Sequence, residues 1–153
     1  MAIELGTTFW LKTPPNGEHI CFIAAITLEN KCLILNTTTS ITKWTKQDYI
    51  IYPNEEGIPS CITTKCVVHY RKAKLYNIDN IIRLMRKKEI NIINEKFGLD
   101  IIHKIQEYGK SHHFTKDSHV EIFRDCIEER KFKPKVHKIE NIFFNHNQRI
   151  NKL

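Results

Sequence analysis

Polar side chains lie at the two strand ends that form the open end of a predicted hairpin. The strands could hold these side chains in place as a site. His19 comes directly before the apolar run 20–26, and the threonines 37–39 follow the apolar run 32–35. The polar turn 28–31 joins the two runs. An imidazole titrates near neutral pH and can transfer protons, and a strand end can hold it rigidly. The alternative is that His19 is an ordinary polar turn residue and that the threonines are present because their shape suits strands.

Other patterns for chemistry are weak in this sequence. Cys61 and Cys66 lack a second pair at the spacing of a structural zinc site. We predict that His112, His113 and His119 belong to a solvated loop. The glycines are scattered, so no glycine-rich phosphate loop is expected. No cysteine lies at a strand-to-helix turn beside an obvious base. We therefore predict neither a metal nor a cofactor.

The composition indicates a globular domain with a basic surface. The chain has 153 residues, of which 41% are hydrophobic and 27% charged, and its net charge is +7. Residues 1–77 contain 8 basic and 6 acidic residues, a balance of +2, whereas residues 78–153 contain 16 and 11, a balance of +5. Nucleic acid is the commonest anionic partner of a small basic protein. A solvated helical face explains the excess charge equally well.

The cysteines and the start of the chain predict a cytoplasmic protein. The number of cysteines is odd, and several lie in apolar runs, as expected for buried thiols in a reducing compartment. The chain starts with M-A-I-E-L, which lacks the basic start and apolar core of a signal peptide. No apolar run approaches the roughly 20 residues needed to span a membrane, so we predict no membrane partner.

The first half of the sequence predicts short strands. Runs rich in apolar, β-branched and aromatic residues occur at 7–12, 20–26, 32–35 and 48–52. The segment 60–75 fits two short strands or one bent strand. Turn signals separate these runs, which favours a small antiparallel barrel or sandwich. The long runs lack strict alternation, as expected for strands that are covered on both faces.

The second half predicts helices. The apolar spacing predicts a helix over 78–97 that Gly98 stops, a second over 99–108, and a third over 118–130 that opens with a capping box. Residues 136–144 fit either a returning strand or a short helix. We therefore predict an α+β protein with a β-domain at 1–77 and a helical extension of about three helices at 78–153 packed on it.

Four short motifs in the β-half follow the order of a known family. They are G-T-T-F-W at 6–10, P-N-G-E-H at 15–19, N-T-T at 36–38 and V-H-Y-R-K-A at 68–73. This order resembles the MazF/PemK-type toxins, and most of all divergent branches that keep a His before the apolar strand. The resemblance spans residues 3–75. It implies an SH3-like antiparallel barrel of about five to seven strands, often dimeric, and in active members metal-independent cleavage of single-stranded RNA.

The resemblance also implies roles for individual residues. His19 falls where these enzymes place the Arg that handles the scissile phosphate, and Thr37 or Thr38 falls where a Thr or Ser lines the same pocket. Arg71 would stabilise the charge that develops on the phosphate. A His in place of Arg supplies a proton-transfer group instead of a fixed charge. We predict His19, Thr37, Thr38 and Arg71 as the catalytic set.

The sequence departs from the family pattern at two positions in the late segment, and a further set of residues is predicted to bind nucleic acid. Thr64 and Cys66 stand where those branches often carry His and Ser, which removes one acid–base partner. A basic set with one Trp is expected to bind nucleic acid: Lys12, Trp44, Lys72, Arg83, Arg86, Lys87 and Lys88.

The predicted function is an RNA-binding or RNA-cleaving toxin of a toxin–antitoxin system, with an antitoxin and a second copy as partners. The alternative is a nucleic-acid- or protein-binding module without enzymatic activity on the same barrel.

Overall fold

Seven strands, three α-helices and one 3-10 helix make up the regular structure in the described part of the chain. The computed structural model describes residues 3–12, 18–39 and 45–131. The strands are β1 (Thr8–Lys12), β2 (Glu18–Ile26), β3 (Lys31–Thr38), β4 (Ile50–Ile51), β5 (Cys66–Val68), β6 (Lys74–Asn77) and β7 (Ile90–Ile93). A 3-10 helix covers Tyr70–Lys72, and the α-helices are α1 (Ile78–Arg86), α2 (Leu99–Ser111) and α3 at 117–131. The predicted α+β class is confirmed.

The hairpin of β2 and β3 lies at the centre of the sheet and buries both of its faces. Phe22, Leu33 and Leu35 pack into one apolar cluster, and Ile23 and Cys32 pack into a second cluster on the opposite face. Full burial of such side chains stabilises the fold by about 1.5–3 kcal/mol each. Coverage on both faces explains why the two runs lack polar alternation, as the sequence predicts.

All strand pairs in the sheet are antiparallel. The order is β4-β5-β3-β2-β1-β7, and β6 pairs with the first half of β3 while β5 pairs with its last two residues. Among the described residues, no pairing joins β4 to β7. Closure of the sheet into an SH3-like barrel therefore stays a prediction.

The predicted helix over 78–97 is wrong in its second half. α1 ends at Arg86, and β7 follows and pairs with β1. A Schellman motif ends the helix: Lys88 has a left-handed backbone with φ 58°, and the Glu89 N–H donates to the Leu84 carbonyl at 3.0 Å. Glycine usually occupies the Lys88 position, so the sequence carries no stop signal there. As a result, the second half of the chain contributes a strand to the sheet.

The predicted stop at Gly109 is also wrong, because α2 continues to Ser111. A Cβ on Gly109 would lie 2.5 Å from the Phe123 ring and 2.8 Å from the Tyr70 ring. The residue is therefore glycine because two aromatic rings approach the backbone closely, and not because the helix ends there.

The helices cover the two faces of the sheet. Ile102 and Ile105 of α2 and Phe123 of α3 are fully or almost fully buried in the cluster that contains Phe22, and Ile81 of α1 is buried in the other cluster. In the described part of the chain, no helix is both long and apolar enough to cross a membrane. The predicted element at 136–144 lies outside the described residues.

Candidate functional site

The strands of the central hairpin stop pairing with each other at the end where the sequence predicts a site. The ladder between β2 and β3 stops at the pair Cys21–Asn36. Beyond it, β2 continues beside β1, with His19 opposite Leu11, and the end of β3 turns to pair with β5. Different neighbours hold the two strands at this end, which gives the sheet face room for a cleft.

An open cleft of about 470 Å³ lies at this end of the hairpin. Its lining residues on β1, β2 and β3 are Leu11, His19, Cys21, Ile34, Leu35 and Asn36, and its remaining lining residues are Arg71, Lys72, Ala73, Lys74, Tyr76 and Lys116. The cleft therefore has a partly apolar strand surface and a basic side that comes from the 3-10 helix, β6 and the segment before α3.

The described charged side chains of the cleft are all of one sign. Arg71, Lys72, Lys74 and Lys116 line it together with His19, and no described Asp or Glu does. Within the described ranges, none of the four cationic side chains forms an ion pair with a carboxylate. Clustered like charges in a concave surface strengthen the local positive potential. The arrangement is suited to an anionic ligand with several phosphate groups.

The structure brings together some of the predicted catalytic residues and separates others. His19 and Arg71 line the same cleft, whereas Thr37 and Thr38 are not among its lining residues. The Thr37 side chain hydrogen-bonds to the Cys66 thiol, on the face that holds the cluster with Leu35. Thr37 pairs with Val68 of β5, beyond the end of the β2–β3 ladder, and Asn36, the last residue of that ladder, lines the cleft instead.

The predicted nucleic-acid-binding residues fall into two groups. Lys72 lines the cleft, and Lys12 lies at the end of β1, next to the lining residue Leu11. The α1 cluster is exposed and lies outside the cleft lining; it consists of Arg83, Arg86, Lys87 and Lys88. Trp44 lies outside the described residues.

Sequence reasoning missed several residues of the cleft. Asn36, Lys74, Tyr76 and Lys116 were not in the predicted set. Lys74 pairs with Ile34 across β6 and β3, so a correct prediction of β6 would have found it. Lys116 carries no local signal, because only the packing of α2 and α3 against the sheet brings it to the cleft.

The 3-10 helix that carries Arg71 is fixed by its neighbours. Tyr70 is buried, and its hydroxyl donates to the Ile105 carbonyl at 2.7 Å. The His69 N–H donates to the Asn36 carbonyl at 2.9 Å. These bonds join the helix to α2 and to β3 respectively. Arg71 and Lys72 are therefore presented beside Asn36 from a rigid support.

Burial determines the ionisation of two groups near the cleft. Burial raises the pKa of Cys21 to about 12, and the nearby Lys74 opposes this only in part. The thiol therefore stays protonated near neutral pH and is a poor nucleophile. Burial also lowers the pKa of His69, and the charges of Lys72 and Arg71 act in the same direction.

The predicted solvated loop with three histidines is wrong for two of them. His112 and His119 are buried, and His119 lies on α3, while His113 is exposed. In the part of the chain that the structure describes, no three His, Cys, Asp or Glu side chains are grouped so that they could hold a metal ion. His112 instead forms a side-chain hydrogen bond with the Asp48 carboxylate.

Comparison of the chain with models of protein families, with curated proteins and with solved structures gave no match. The MazF/PemK resemblance therefore rests on the motifs of the sequence alone.

Proposed function

We propose that this protein binds single-stranded RNA in the basic cleft and cleaves it there without a metal ion, as a cytoplasmic toxin-like endoribonuclease. One observation carries the proposal: His19, whose imidazole is a proton-transfer group, shares a cleft with four cationic side chains and no described carboxylate. The motif resemblance to MazF/PemK-type toxins favours the same reaction.

The lining of the cleft supports a single strand as the ligand. Arg71, Lys72, Lys74 and Lys116 can neutralise successive phosphates, which supplies most of the affinity of such complexes. Tyr76 is partly buried in the same lining and offers an aromatic ring. Stacking on an aromatic ring needs an unpaired base, so it favours single-stranded RNA over a duplex.

The proposed reaction uses the 2′-hydroxyl of the RNA as the nucleophile. His19 accepts the 2′-hydroxyl proton, and the 2′-oxygen attacks the adjacent phosphorus. The bond from phosphorus to the 5′-oxygen breaks, which leaves a 2′,3′-cyclic phosphate. The departing 5′-oxygen takes a proton from a lysine ammonium of the cleft or from water. Arg71 and the lysines stabilise the additional negative charge on the phosphate oxygens.

A cleavage assay in chelator tests this proposal. Purified protein is incubated with a long single-stranded RNA in excess EDTA, beside His19→Ala and a matched control, His103→Ala, which removes a histidine of α2 outside the cleft lining. We expect cleavage by the wild type and the control, and a loss of roughly 100-fold or more in His19→Ala. No cleavage by the wild type, or equal cleavage by His19→Ala, contradicts the proposed activity.

A binding module without catalysis is the second candidate function. The observation that favours it is the exposed α1 cluster outside the cleft lining. On this account, RNA affinity falls steeply with salt, is unaffected by loss of His19, and depends on the α1 cluster instead of the cleft.

A further inference from the structure

The guanidinium of Arg71 has an aromatic support outside the cleft lining. Its central carbon lies 3.8 Å from the centroid of the Phe114 ring, which is in the segment between α2 and α3. A planar guanidinium stacks well on an aromatic face. Arg71 and Phe114 are otherwise exposed, so this contact restricts a side chain that would be free to rotate.

A buried pair in turn fixes Phe114. The Phe114 N–H donates to His112 Nδ1 at 3.1 Å, and His112 Nε2 lies 2.8 Å from Asp48 Oδ1. Because Nδ1 accepts a hydrogen bond, the ring proton is on Nε2, from which it is donated to Asp48. The side chains of His112 and Asp48 are only 4% and 8% exposed.

Further contacts hold this buried pair in one arrangement. Asp48 Oδ2 accepts from the Thr45 N–H at 2.9 Å, which fixes the carboxylate. The His112 ring packs on Tyr70, with centroids 4.8 Å apart. Tyr70 belongs to the same 3-10 helix as Arg71. One network therefore contacts both the Tyr70 side chain, which neighbours Arg71 in the 3-10 helix, and the ring on which Arg71 stacks.

We propose that Phe114, held by the Asp48–His112 pair, is a positioning residue that holds Arg71 ready to bind an RNA phosphate. The inference rests on the proposed function of the cleft and adds residues that do not line it. A preorganised guanidinium loses less side-chain entropy when it binds a phosphate. Loss of the support therefore weakens RNA binding only through Arg71.

A double-mutant cycle on RNA affinity tests this dependence. The variants are Arg71→Lys, which keeps the charge but loses the planar stack, Phe114→Leu, and both together, with affinity measured by fluorescence anisotropy. We expect Phe114→Leu to weaken binding roughly two- to fivefold in the wild type and to have almost no further effect in Arg71→Lys. Effects that multiply in the double variant overturn the inference.

Matched controls separate positioning from a general effect on the fold. Arg124→Lys changes an exposed arginine that pairs with Glu121, and Tyr108→Leu changes an aromatic ring that is 41% exposed, close to the 45% of Phe114. We expect neither to change RNA affinity. Losses in Tyr108→Leu equal to those in Phe114→Leu also overturn the inference, because they show that any exposed ring has the same effect.

The NMR signal of the Arg71 Nε–H group tests the buried pair without RNA. A guanidinium over an aromatic ring has a ring-current shift, which we expect Phe114→Leu to abolish and His112→Asn to reduce. An unchanged shift in His112→Asn overturns the role of the pair. If the wild type does not bind RNA, the proposed function fails and the positioning role fails with it; if it binds and the cycle is additive, only this inference fails.

Discussion

At the scale of single residues, three partly or fully buried histidines are expected to make the stability of the protein depend on pH. Burial is the main cause that lowers the pKa of His69, His103 and His119 from the usual 6.5. Neighbouring cations act in the same direction, namely Lys72 on His69, Arg130 on His103 and Lys116 on His119. In the unfolded chain these imidazoles take up protons as pH falls through 6.5, whereas in the folded chain they resist protonation.

We therefore expect the free energy of unfolding to fall as pH decreases from 7.5 to 5.5, since the unfolded state then binds more protons than the folded state. Urea titrations at several pH values measure this dependence. In His119→Gln the slope should be smaller than in the wild type. An equal slope in the wild type and in His119→Gln would refute the contribution of His119 to this pH dependence. Asp48 does not interfere, because its lowered pKa affects stability only in more acidic solution.

The residues of the cleft show how far the sequence predicts a site. His19 and Arg71 were predicted from motifs, and both line the cleft. The predicted Thr37 was one position away from the lining residue Asn36, because the motif does not show that β3 leaves β2 after Asn36 and pairs with β5. Lys116 was beyond prediction, since its place depends on the packing of helices far along the chain.

At the scale of elements, the β2–β3 hairpin was predictable from the sequence, whereas the segment that forms α1 and β7 was not. Two apolar runs around a polar turn predict β2 and β3 directly. Ile90 and Ile93 of β7 are three residues apart, which also fits a helix face, and the end of α1 at Arg86 lacks a glycine. The sequence therefore predicted one long helix where the structure has a helix, a Schellman motif and a strand.

Two adjacent lysines should respond in opposite ways to replacement by glycine. Lys88 has a left-handed backbone, whereas Lys87 has a right-handed helical one with φ −81°. We expect Lys88→Gly to stabilise the protein by about 0.5–1 kcal/mol, because glycine adopts the left-handed region without steric cost. Lys87→Gly should destabilise it by about 0.5–1 kcal/mol. Chemical denaturation of both variants measures the difference, and the same sign for both would refute the proposed cap.

At the scale of the whole molecule, the described part of the chain groups basic side chains on two surfaces. One is the cleft, with Lys72, Lys74 and Lys116 on its basic side, and the other is the α1 cluster. Composition predicts an anionic partner for either surface. Only the fold distinguishes them, because it places His19 in the first and not in the second.

Variants of equal charge decide which surface binds RNA. One variant changes Lys72, Lys74 and Lys116 to Gln, and the other changes Arg83, Arg86 and Lys87 to Gln, so each removes three positive charges. RNA affinity is measured over a range of salt concentrations, after thermal denaturation confirms that both variants fold. We predict that the cleft variant loses on the order of 100-fold in affinity with a shallower salt dependence, and that the α1 variant loses only a few-fold. Equal losses in both, or a larger loss in the α1 variant, would contradict binding of RNA in the cleft.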